Sequence, residues 1–115
     1  MKSEELPIHK EAYDLLEMLT ITSANMPKLC RMTFGMEMIK MNWDMLGHIY
    51  LANKYKERRS QEIEKVLLCY RQIQIGLRVC YRQKALSTGR YAELLRMLDS
   101  IGRQATAWRN KIIDN

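Results

Sequence analysis

Along this chain apolar residues recur in alternating steps of three and four, the period that holds side chains on one face of an α-helix. Ile8, Ala12, Leu15, Leu19 and Thr22 set the first stripe, which predicts an amphipathic helix over about residues 8–23 with Pro7 near its start. A second stripe runs Phe34, Met38, Met41, Met45, His48, Ala52 and Tyr55, in a helix from Pro27 to about Tyr55. Another apolar edge, Ile39, Trp43, Leu46 and Tyr50, lies beside it, so this helix has two sides to bury. Ile63, Val66, Tyr70, Ile73, Leu77 and Cys80 mark a third helix, from an expected N-cap at Ser60 to about Lys84. Tyr91, Leu94, Leu98, Ile101, Ala105, Trp108 and Ile112 mark a fourth.

Break signals separate these stripes. Ser23-Ala24-Asn25-Met26-Pro27 and Lys56-Glu57-Arg58-Arg59 predict turns, and Leu86-Ser87-Thr88-Gly89 supplies a connection with Ser87 or Thr88 as the next N-cap. Thr33-Phe34-Gly35 leaves open whether the second helix is interrupted near its start. Nowhere does the two-residue alternation of a strand occur. Four helices of roughly 20 residues joined by short connections predict an all-α, up-down-up-down antiparallel four-helix bundle. It should be one domain over residues 1–115, since dividing 115 residues between two cores leaves each too small to offset chain entropy.

Composition adds exclusions. The N-terminus has no continuous apolar segment of the secretory kind, and no apolar run nears the roughly 20 residues that span a bilayer, so a soluble cytoplasmic protein is expected. Cys30, Cys69 and Cys80 are odd in number and lack both CxxC spacing and suitably spaced His partners. They read as reduced, mostly buried thiols rather than disulfides or zinc ligands.

No catalytic set, metal site or cofactor is expected. His9 and His48 lie on different helices without an HExxH-like partner, and His48 falls on the core stripe, where a hydrogen-bonded structural histidine is the simpler reading. A di-iron bundle needs inward Glu and Glu-x-x-His pairs, whereas the inward positions here are Met, Leu, Ile and aromatic. Met36, Met38, Met41 and Met45 read as a soft core rather than as metal ligands.

The net charge of +6 points elsewhere, because it is unevenly placed. Residues 1–53 carry five Lys/Arg against seven Asp/Glu, residues 54–90 ten against three, and residues 91–115 four against three. The surplus of +7 thus sits in the middle segment, on Lys54, Lys56, Arg58, Arg59, Lys65, Arg71, Arg78, Arg82, Lys84 and Arg90. Arg71, Arg78 and Arg82 are seven and four residues apart and share a helical face. No acid intervenes between Glu64 and Glu93, unlike a solvated helix that mixes signs. This pattern predicts a polyanion-binding surface, RNA or DNA, to which Lys28, Arg31, Arg103 and Arg109 could add. Tyr50, Tyr55, Tyr70 and Tyr81 are aromatic candidates for base stacking, Tyr81 being the more exposed expectation and Tyr70 a core one. Trp43 and Tyr50 exceed what one core requires and predict a surface for self-association or a protein partner.

The stretch Met26-Pro27-Lys28-Leu29-Cys30-Arg31-Met32-Thr33-Phe34-Gly35, then Leu86-Ser87 with Tyr91, then Ile101-Gly102-Arg103-Gln104 and Trp108, resembles the accessory variability determinant proteins of diversity-generating retroelements. Those belong to a wider four-helix-bundle family that includes proteins encoded in intervening sequences of bacterial ribosomal RNA. The resemblance spans about Leu6 to Trp108. It implies a homopentameric, barrel-like assembly with a basic surface that binds the element's reverse transcriptase and template RNA. In that setting the accessory protein supports mutagenic copying of a template repeat. Lys28 and Arg31 match the basic pair of the first motif, and Arg103 that of the second. The alternative is an intervening-sequence-type bundle acting as an oligomeric protein-interaction module.

Overall fold

The computed structural model describes residues 2–114, with side chains described through residue 112. Helix α1 is Pro7–Ala24, opened by a short 3-10 turn at Ser3–Glu5. Helix α2 spans residues 28–54, α3 is Arg59–Arg82 and α4 is Thr88–Asp114. Each helix packs against its chain neighbours, and α4 also closes on α1. The result is the expected antiparallel four-helix bundle, 45 × 20 × 19 Å, with no strand among the described residues. No described helix is long and apolar enough to cross a membrane.

The core follows the stripes closely in three of the four helices. Ile8, Ala12, Leu15 and Leu19 of α1 are buried with Ile63, Val66, Ile73, Leu77 and Cys80 of α3 and Leu94, Leu98, Ile101 and Ala105 of α4. Each fully buried Leu or Ile here contributes about 2 kcal/mol by leaving water. In α2 the buried line is Met38, Asn42, Met45, Ile49 and Ala52. Met41 and His48 flank that line, half-buried, and Tyr55 lies at the helix end. Met36, expected in the core, is 58% exposed.

The start of α2 departs from regular α-helix. Lys28–Cys30 begins as α-helix, Arg31–Gly35 widens to a π-turn, and α-helix resumes at Met36–Lys54. A π-turn holds one more residue than an α-turn and rotates everything that follows relative to what precedes it. Thr33 assists by donating its hydroxyl to the Leu29 carbonyl at 2.6 Å. Gly35 answers the packing, since a Cβ there would run into the Ser23 hydroxyl of α1. The helix is therefore widened near Thr33-Phe34-Gly35, not broken.

Helix ends also differ from expectation. Helix α3 starts two residues early, at Arg59 with Arg58 in the N-cap position, and Ser60 makes no capping bond. It ends at Arg82, two residues before Lys84, because Lys84 adopts φ 61°. Ala85 N–H donates to the Cys80 carbonyl at 2.8 Å and Lys84 N–H to Tyr81 at 2.9 Å, the paired bonds of a Schellman cap, with Ala85 buried beside Cys80. At the start of α4 Ser87 acts as the N-cap, its Oγ accepting from Arg90 N–H at 3.1 Å.

Candidate nucleic-acid interface

Of the ten cations of residues 54–90, Lys56 is exposed in the α2–α3 turn and the other nine divide into two groups. One group is engaged in holding the bundle together. Arg59 donates to the Ala52 and Asn53 carbonyls at 2.7 and 3.1 Å and lies over the Trp108 ring, closing the turn between α2 and α3. Arg58 and Lys65 reach the Glu62 carboxylate at 3.4 and 3.5 Å. Arg90 donates to Thr22 Oγ1 at 3.2 Å and contacts Met18 Sδ, tying α4 to α1. Lys54 is bonded to the Tyr50 hydroxyl at 3.1 Å and lies over the Tyr50 and Tyr55 rings. Lys54, Arg58, Arg59 and Arg90 were all expected in the interface, and each also makes contacts within the fold.

The second group faces outward. Arg71, Arg78, Arg82 and Lys84 are exposed, and none has an acidic partner among the described residues. The first three follow one line down α3, over about 16 Å of helix axis. Arg71 is steadied by the Gln74 amide oxygen at 2.7 Å, which sets direction without cancelling charge. Glu64, also exposed on α3, is drawn off by Arg109 of α4 at 3.4 Å. A thiol contact between Cys30 and the Gln83 amide oxygen, 3.3 Å, puts the start of α2 beside the end of α3. Lys28 and half-buried Arg31 therefore sit at the same end of the bundle as Arg82 and Lys84.

Between α3 and α4 the row borders two shallow hollows. One, of about 270 Å³, is lined by Arg71, Gln74, Ile75, Arg78, Tyr91 and Leu95. The other, at the α3–α4 turn, includes Tyr81, Arg82, Lys84 and Ser87. Tyr81 and Tyr91 stack on each other between them, centroids 4.3 Å apart and planes within 9°. Tyr81, expected to be the exposed aromatic, is half-buried, with its hydroxyl 3.1 Å from Thr88 Oγ1. Tyr70 is half-buried, its ring filling the space beside Gly102, where a Cβ would approach to 2.7 Å. Arg103 is exposed on α4 and shares its hollow with Asp99. Sequence reasoning passed over Arg96, which is exposed, has no acidic partner among the described residues, and is seven residues before Arg103 on one face of α4; that spacing was the available signal.

Trp43 and Tyr50 are 67% and 46% exposed and, with Met36 seven residues earlier, make an outward line along α2. This line and the arginine row occupy different helices.

The remaining titratable groups are structural in geometry. His48 Nδ1 is 2.7 Å from Glu62 Oε2, and Glu62 is 2% exposed. Burial pushes the Glu62 carboxyl up, but the His48 hydrogen bond and the Lys65 charge outweigh it and hold the group below the ordinary carboxylate range. All three cysteines are free and buried. Burial, with Cys30 adjacent, pushes the Cys80 thiol up to about 11, which keeps it protonated and unreactive. Among the described residues no group of three or more His, Cys, Asp or Glu side chains is arranged to hold a metal ion. No protein-family model matches the chain, and no curated protein matches it.

Proposed function

We propose that this chain is a non-catalytic accessory protein that binds nucleic acid through the outer side of α3. The observation that carries the reading is the row Arg71, Arg78 and Arg82, continued by Lys84, with no carboxylate among the described residues to neutralise it. Cations that remain solvated and unpaired exchange bound counterions for phosphates, and the entropy of counterion release favours the complex. The resemblance to retroelement accessory proteins names the partners: template RNA or its cDNA, and the element's reverse transcriptase, presented by a homopentamer in the cytoplasm. A protein of that kind requires charge and a partner face and has no need of a nucleophile.

The direct experiment is charge reversal. The triple variant Arg71→Glu, Arg78→Glu, Arg82→Glu is expected to lose at least about ten-fold in affinity for RNA in a gel-shift titration. Its thermal unfolding should change little, because all three side chains are exposed and bonded to nothing buried. Unchanged affinity rejects the reading.

The line Met36, Trp43 and Tyr50 favours a second reading, the intervening-sequence-type module that works by protein contact alone. It gains if purified protein ignores RNA and DNA at low salt while Trp43→Ser alters its mass in solution.

A further inference from the structure

Resting on the nucleic-acid reading above, we propose that the ligand is single-stranded and that one of its bases stacks on Tyr91. The Tyr81–Tyr91 pair forms a wall two rings thick, parallel to within 9°. Tyr91, half-buried against the core, lines the hollow holding Arg71 and Arg78, and Tyr81 lines the hollow holding Arg82 and Lys84. Ring and cations therefore alternate along the α3–α4 groove in the order a single strand presents its own groups, phosphate, base, phosphate.

The wall is held in place before any ligand arrives. Tyr81 is held by Thr88 Oγ1, and Thr88 opens α4, the helix that carries Tyr91. A fixed ring binds a base with little ordering cost, since its two side-chain torsions are already set. Each stacked base then adds affinity that does not depend on its identity, because every base has a π-face. Beside Tyr91 the hollow is lined by Ile75 and Leu95, apolar side chains that suit the face of a base and not a second phosphate. A duplex keeps its bases paired and stacked inside, so it meets the arginines and leaves Tyr91 unused. About 16 Å of arginine row accommodates roughly four phosphates of a stacked strand.

The test compares three ligands on the intact protein by fluorescence anisotropy at low salt: oligothymidine of about 12 nucleotides, the same backbone without bases, and a duplex of equal length. Oligothymidine is expected to bind about ten-fold more tightly than the abasic strand. Tyr91→Leu should bring oligothymidine down to the abasic level while abasic affinity stays fixed, and Tyr91→Phe should retain the preference. Equal binding of oligothymidine and abasic strand by wild-type protein, or tighter binding of the duplex, overturns the stacking proposal and leaves phosphate binding intact. Failure of all three ligands to bind overturns both.

Discussion

Asn42 occupies the centre of the α2 core line, wholly buried, and neither its amide oxygen nor its amide nitrogen has a hydrogen-bond partner among the described residues. An unpaired buried amide costs about 1–3 kcal/mol, so its presence runs against the local logic of the core. Asn42→Leu is expected to raise the free energy of unfolding by about 1–2 kcal/mol in urea titration. A loss of stability instead means that the amide makes bonds that the packing here does not account for. Lys84 shows a similar local conflict: a non-glycine residue at φ 61° is tolerated because the Schellman bonds of Ala85 and Lys84 close the helix around it. Its placement also turns one cation of the row out toward the α3–α4 turn.

At the scale of elements, Glu62 joins three of them. The carboxylate of α3 meets His48 from α2, Arg58 from the turn and Lys65 one helical turn on. Its folded pKa lies below the ordinary 4.5, so the stabilisation is fully present above that value and is lost as pH falls through the folded pKa. Chemical denaturation from pH 6 down to pH 3 should therefore show wild type losing stability relative to Glu62→Gln; parallel curves would falsify the assignment. The four helices themselves were legible because their stripes in α1, α3 and α4 are unbroken and the connections carry Asn, Pro, Ser and Gly. In α2 the stripe held at Met38, Met45 and Ala52 and missed by one position at Met41 and His48, where Asn42 and Ile49 take the core. Residues 41 and 42 both satisfy a helical step from Met38, and a polar Asn carries no apolar signal. The exposed row Arg71, Arg78, Arg82 was equally legible, being a matter of spacing. The inward use of Arg59 and Arg90 was not, since a carbonyl seven residues back and a hydroxyl on another helix leave no mark in sequence.

For the whole molecule, the bundle distributes its surface by helix. The first 53 residues are net acidic and carry the apolar line of α2, while four of the cations left without an acidic partner among the described residues, Arg71, Arg78, Arg82 and Lys84, lie on α3 and just past its end. In the proposed function, a polyanion on α3 and a protein partner on α2 would use different side chains. Arg96 and Arg103 add two exposed cations on one face of α4.

The most direct measurement of this account is the salt dependence of RNA binding by wild-type protein and by single variants Arg71→Ala, Arg78→Ala and Arg82→Ala. With roughly four phosphate contacts the plot of log K against log salt should fall with a slope near −3, and each substitution should flatten it by about 0.7. A slope near zero, or one that none of the three substitutions changes, contradicts the claim that this row meets phosphate.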